Sequence, residues 1–321
     1  MSTVTSILII QLILALSFSI VSTQQSVNNR PIIGVLAQEV SEYVNRKYPG
    51  HRSYIAASYV KFIEGAGARV VPIWIGKDKS YYEDIMSKIN GVLWPGGGAS
   101  FNNTNGYADA AYNIYKIAKR KNNEGVHFPI FAICLGFEVL TYVTANRRNT
   151  RRSCNAEEIA MKLEFERDYE SSKLFRNAPA HIKDILATKN VTLNTHKYCV
   201  TKQDLKDAGI KDKFGVLSLN HDKNSRVKFI SSLESVEYPF YGLQFHPEKN
   251  LYEWVIGKSI PHSENAIQIS QYFANFFINE ARKNLQKYPH VSEKLIYNYQ
   301  PVYTGLDGLA YEQTYFFDKS I

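Results

Sequence analysis

The run Phe131-Ala132-Ile133-Cys134-Leu135-Gly136-Phe137-Glu138 restricts the fold more than any other segment. An apolar stretch leads into a thiol, small residues stand two positions to either side, and a helix-like segment follows. This is the pattern of a sharp strand-to-helix turn with a reactive side chain at its apex. Such a turn lifts Cys134 above a sheet and sets it at a helix N-terminus. The dipole and free N–H groups there favour thiolate over thiol. A lone cysteine in an apolar run is more often a small buried hydrophobe, so Cys134 has to be weighed with its surroundings.

The chain around it alternates. Ile32 to Leu36 is a short apolar run of the kind that forms a buried strand. A helix is expected from about Ile55, with Ile55, Tyr59, Phe62, Ile63 and Ala66 on one face and Gly65 and Gly67 as its stop. Strands follow at Arg69 to Ile73, Gly91 to Trp94 and Ile130 to Ile133, with helices around Tyr81 to Ile89 and Ala111 to Ala118 between them. Alternation of this sort gives an α/β fold, a mostly parallel sheet flanked by helices on both faces. Ligands in such sheets bind beyond the carboxyl ends of the strands.

From Ala145 to about Lys189 the pattern turns irregular and polar, and loops with short elements are expected. Strands return at Phe214 to Leu219, Val227 to Leu233 and Tyr241 to Phe245, the first two joined through the turn Asp222-Lys223-Asn224-Ser225. Ile269, Tyr272, Phe273 and Phe276 mark a long helix, and the aromatic tail after Pro289 is expected to lie back on the domain. No repeat, linker or low-complexity tract breaks the chain, so one domain is the economical reading.

Two further segments bear on chemistry. Trp94-Pro95-Gly96-Gly97-Gly98 closes the strand before the Cys134 turn. Three glycines allow a backbone path closed to other residues and a close approach of N–H groups to a ligand. The Lys and Ser/Thr of a phosphate loop are missing, so the choice lies between a plain tight turn and an oxyanion hole built from the amides of Gly97 and Leu135. Gln244-Phe245-His246-Pro247-Glu248 then places a base and a carboxylate at a strand end. Together the segments read as a cysteine hydrolase.

Pro95-Gly96-Gly97, Cys134-Leu135-Gly136 and Gln244 to Glu248, in this order, resemble the class I glutamine amidotransferase fold, which is flavodoxin-like. More narrowly the chain resembles the γ-glutamyl hydrolase family, whose members act on folate polyglutamates. Tyr54 to Lys61, Gly67 to Pro72, Asn194 to Lys197, Tyr252-Glu253-Trp254 and Asn279 to Lys283 support this, and the likeness runs from Pro31 to about Gly305. The resemblance implies Cys134 as nucleophile, His246 as base and Glu248 as its orienting group. It implies cleavage of folyl or antifolyl poly-γ-glutamates through a γ-glutamyl thioester, with no cofactor and no metal.

His196 matches a histidine that the family places near substrate, although on type alone such a residue is more often a structural histidine. Glu138 stands where amidotransferases carry Gln and is a candidate for binding the γ-glutamyl group. Ala132 replaces the glycine usual two residues before the nucleophile. The competing readings are a glutaminase-type amidotransferase domain and a secreted, non-catalytic binding glycoprotein of the same fold.

The compartment is read from the N-terminus. No charged side chain precedes Arg30, and Ile7 to Ile20 is apolar except for Gln11, Ser17 and Ser19. That length suits a signal peptide better than a membrane span, with cleavage near Thr23-Gln24; an uncleaved anchor is the alternative. The expected layout is a leader over residues 1–23 and one domain over 24–321. The destination is the secretory pathway, then lysosome, vacuole or the extracellular space. The sequons at Asn102 and Asn190 agree with that route.

The three cysteines leave at least one thiol free, and a bond between Cys154 and Cys199 would make it Cys134. Net charge is +8, spread along the chain with its densest cluster at Arg147 to Arg152. With no nucleic-acid motif, that charge reads as a solvated surface or as attraction for a polyanionic small molecule. No nucleic acid and no membrane (after leader removal) are expected as partners, and a homodimer is compatible with the reading.

Overall fold

The structure is a computed structural model that describes residues 26–318; the expected leader and its cleavage site lie outside them. In chain order its strands begin with β1 (Ile32–Leu36), β2 (Gln38–Glu39), β3 (His51–Ala56), β4 (Arg69–Ile73) and β5 (Gly91–Trp94). Next come β6 (Ile130–Ile133), β7 (Arg152–Met161), β8 (Glu164–Phe165), β9 (Thr192–Cys199) and β10 (Phe214–His221). The last four are β11 (Lys228–Ser235), β12 (Phe240–Leu243), β13 (Val302–Tyr303) and β14 (Gln313–Asp318).

Eight of them form one sheet in the order β4-β1-β5-β6-β12-β11-β10-β8. The first five run parallel, and β11, β10 and β8 extend the sheet antiparallel. The parallel part has the flavodoxin-like order, in which the second strand in sequence sits outside the first.

The apolar runs are continuous because both faces are covered. Ile32, Leu36, Val92, Trp94, Ile130 and Ala132 pack into a core with the helices Lys79–Met86, Tyr107–Asn123 and Leu135–Thr144. Ile33, Val35, Leu93, Phe131 and Ile133 point the other way, toward the helices Ala57–Glu64, Ala180–Thr188 and Glu264–Ala281. Alternate residues of one strand thus feed two cores, as the period of two requires.

Two expectations are corrected. Ile55 belongs to β3, and the helix begins at Ala57. β3 pairs with β14 at the far end of the chain, so the tail does lie back on the domain, as a strand in a second sheet ordered β13-β14-β3-β2. The region expected to be loops contains β7, a ten-residue strand paired antiparallel with β9. Its burial pattern, in which only two of ten residues are buried, and its register shifts leave no clean alternation to read. The Cys154–Cys199 disulfide ties this pair together and leaves Cys134 as the free cysteine.

Candidate active site

β6 lies between β5 and β12. The turns that leave the carboxyl ends of these three strands therefore meet, and they carry Cys134, the glycines 96–98 and His246. Cys134 has φ 51 and ψ −108, outside the range an L-residue prefers, and such strain costs about 1–3 kcal/mol. The neighbours enforce it. Cys134 N donates to Leu243 O of β12 at 2.7 Å, and Glu138 N donates to Cys134 O at 3.0 Å. A Cβ on Gly136 would overlap the Trp94 carbonyl of β5, so only glycine lets the helix start this close to the sheet. Ala132 is fully buried in β6 and the turn forms without a glycine there.

The glycine segment is held from three sides. Tyr107 donates to Pro95 O at 2.8 Å, Gly96 N donates to the Tyr59 hydroxyl at 2.8 Å, and Gln38 Nε2 donates to Gly96 O at 2.6 Å. None of the three glycines has positive φ. Their value at positions 96 and 97 is the missing Cβ, contrary to the expectation of a special backbone path. A Cβ on Gly96 would stand 2.6 Å from His246 Cε1 and 2.9 Å from Cys134 Cβ, and one on Gly97 would overlap Gln38 Oε1. Gly98 faces open space. The Gly97 N–H has no hydrogen-bond partner among the described residues, and the Leu135 N–H is directed at the Cys134 sulfur.

His246 is tied back through its own N–H to Leu193 O of β9 at 2.8 Å. Its Nδ1 lies 2.7 Å from Glu248 Oε1, both side chains buried. Nδ1 therefore donates to the carboxylate and Nε2 carries the lone pair. The Tyr59 hydroxyl, 3.4 Å from Nδ1, couples this imidazole to the glycine turn.

The thiol does not show the low-pKa character expected of it. Burial pushes the Cys134 thiol well above its ordinary value, with Glu138 and Glu248 adding to the effect; the Leu135 N–H and Lys249 oppose it and lose. The helix N-terminus is real, but two nearby carboxylates and the lack of water outweigh it. The resting residue is a protonated thiol that needs a base.

Cys134 opens on two cavities. One, of about 580 Å³, is lined by His246, Lys249, Tyr54, Tyr311 and Glu39. The other, of about 400 Å³, is lined by Leu135, Glu138, Arg151, His196, Lys197 and Tyr198. Glu138 is buried beneath the second and pairs with Arg151 at 3.1 Å. Burial raises its pKa to about 7, the Arg151 charge pulling it down less strongly.

His196 reaches the same cavity but is buried against the disulfide, with Nδ1 2.9 Å from Tyr198 O and Nε2 3.1 Å from Asn194 Oδ1. Burial lowers its pKa to about 3, so the ring is neutral. Cys154, His196 and Cys199 are close enough to share a metal, but the two sulfurs are bonded to each other. Asn102 and Asn190 are both exposed, whereas Thr192 of the second sequon is fully buried.

Residues 31–248 match the Peptidase C26 family. The chain is 41% identical to the γ-glutamyl hydrolase of Rattus norvegicus over 91% of its own length and 90% of that protein. The corresponding figures are 38%, 90% and 90% for the γ-glutamyl hydrolase of Homo sapiens, and 35%, 93% and 86% for γ-glutamyl hydrolase 1 of Arabidopsis thaliana. The chain belongs to the γ-glutamyl hydrolase family. A Trypanosoma brucei CTPS glutaminase domain aligns at a TM-score of 0.49 with 14% identity, over 81% of this chain and 98% of that one, a likeness too distant to carry weight.

Within a γ-glutamyl hydrolase site, several residues escaped sequence reasoning. Tyr59 reads from sequence as one more core position on a helix face. Gln38 and Tyr107 give no signal, because their partners are backbone atoms of the glycine turn. Lys249 is the exception: it follows Glu248 directly and could have been taken with it.

Proposed function

We propose that Cys134 attacks the γ-carbonyl of a glutamyl amide, with His246 as its base, Glu248 holding the imidazole, and the amides of Gly97 and Leu135 receiving the oxyanion. The observation that carries this is the strained Cys134 turn opening on two cavities, with His246 in the wall of one and Glu248 buried behind it at 2.7 Å. The protonated thiol gives its proton to Nε2 as the C–S bond forms, and Glu248 stabilises the imidazolium through Nδ1. The imidazolium then protonates the leaving amine. Water, deprotonated by the same nitrogen, releases the γ-glutamyl acid from the thioester.

Folyl and antifolyl poly-γ-glutamates are the proposed substrates. The net charge of +8 favours a polyanion, and Lys249, Arg151 and Lys197 bring that charge to the cavity walls. Glu138 and His196 are proposed to bound the glutamyl group.

The chain is proposed to enter the secretory pathway through a leader at residues 1–23 and to act as one domain, 24–321, in lysosome, vacuole or outside the cell. Among the described residues no helix is long and apolar enough to cross a membrane. Asn102 is the proposed glycan site of the two, because Thr192, the hydroxyl residue that completes the sequon of Asn190, is buried.

The test is product analysis with a poly-γ-glutamyl folate and, separately, free glutamine. Release of glutamate or γ-glutamyl peptides, lost in Cys134→Ala and His246→Ala and less reduced in Glu248→Ala, is expected. Faster hydrolysis of free glutamine would overturn the substrate reading. Full activity of Cys134→Ala would overturn the mechanism.

A further inference from the structure

We propose that Arg151 anchors the α-carboxylate of the glutamyl residue whose γ-carbonyl is attacked, so that the acyl part of the substrate fills the smaller cavity. This rests on the γ-glutamyl hydrolase reading and deepens it.

The two cavities share Cys134, the turn Gly97 to Ser100 and Thr195, and they differ in what else they hold. The donor for the leaving amine, His246, lines only the larger one. Leu135, whose amide faces the sulfur, lines only the smaller one. A substrate laid across Cys134 must put its nitrogen on the His246 side, so its acyl chain runs toward Glu138 and Arg151.

A γ-linked glutamyl residue has a feature that an α-linked one lacks: its α-carboxylate is free. An α-linked residue leaves its γ-carboxylate free instead, so recognition of the linkage calls for a cation placed to meet a carboxylate on Cα in the acyl cavity, and Arg151 is built for it. Its guanidinium lies against the Phe101 ring at 3.6 Å and faces the Tyr198 ring at 4.8 Å, which holds the planar group in place. Nη1 donates to Glu138 and Nε lies 3.5 Å from Asn149 Oδ1. Nη2 has no hydrogen-bond partner among the described residues, so donors are left for a second carboxylate. Lys197, the other cation of this wall, is already paired with Glu157 and its side chain is mostly exposed.

The test compares two γ-linked dipeptide substrates, one with a free α-carboxylate on the acyl-side glutamyl residue and one with that group as a carboxamide. The native protein and the variants Arg151→Gln and Arg151→Lys are assayed on both. A charge-assisted hydrogen bond of ordinary strength implies that Arg151→Gln raises KM for the carboxylate substrate about 10- to 100-fold, with kcat changed far less. On the carboxamide the native protein and Arg151→Gln should differ little. Arg151→Lys should recover part of the KM, because charge returns without the planar fork. Equal losses on both substrates would overturn the proposal and make Arg151 a support for Glu138 alone. If the native protein cleaves neither substrate, the hydrolase reading itself fails, a result distinct from native cleavage without discrimination at Arg151.

Discussion

Gly96→Ala is a one-methyl wedge between the reacting groups. The new Cβ would stand 2.6 Å from His246 Cε1, 2.8 Å from the Tyr59 hydroxyl and 2.9 Å from Cys134 Cβ. Carbon contacts settle at about 3.5–4.0 Å, so roughly 1 Å must be found among three groups with little room to give. His246 is held by Glu248 at 2.7 Å, Tyr59 by Gly96 N at 2.8 Å, and Cys134 by Leu243 O at 2.7 Å. A misplacement of about 1 Å near the chemistry can cost about 100-fold in rate, while overpacking a buried site typically costs about 1–3 kcal/mol of stability. The expected outcome is a folded protein with kcat lowered about 100-fold or more and KM changed less. Gly98→Ala is the internal control, since nothing stands within 4 Å of its Cβ, and it should stay within a few-fold of native. Steady-state kinetics with urea unfolding of both variants reads the result. A Gly96→Ala protein within five-fold of native, or a Gly98→Ala protein equally damaged, would refute the steric reasoning.

Glu138 makes stability depend on pH. Its folded pKa, about 7 against an ordinary 4.5, means that the folded state holds the proton more tightly, so stability falls as pH rises from 4.5 to 7 and levels off above. The full span is roughly 3 kcal/mol, and Glu138→Gln should abolish that decline in urea midpoints measured at pH 5 and pH 8; an unchanged slope refutes the assignment. Cys134 should alkylate slowly near neutral pH and faster in alkali, because burial and two carboxylates hold its proton; rapid modification at pH 7 would show a preformed thiolate. Replacing Cys154 and Cys199 by alanine frees a loop with a sequence separation of 45, worth about 4 kcal/mol in the chain-entropy account. It should also raise KM more than it lowers kcat, because β7 and β9 carry the wall of the smaller cavity; a variant with native KM would separate the disulfide from the site.

The five parallel strands were legible in the sequence because each is a short apolar run buried on both faces, a property that local composition records. The Cys134 turn, the glycine turn and the His246–Glu248 segment were legible for the same reason: a sharp turn, a close approach and a base beside a carboxylate each constrain adjacent residues. Contacts between distant segments left no such trace. β3 becomes a strand through β14, at the other end of the chain, and β7 becomes one through its pairing with β9, which its own polar sequence does not announce even though the Cys154–Cys199 bond that ties the pair was open to reading from the cysteine count.

Protonation also lay beyond the sequence. Cys134 at a helix N-terminus, taken alone, argues for a thiolate, yet burial beside Glu138 and Glu248 keeps it a thiol. His196 is neutral because it is sealed against the disulfide. Residue types and their spacing thus determined which chemistry this chain carries and where its strands run. Tertiary packing alone decided how much water each ionisable group sees, and with it which of them holds a proton when substrate arrives.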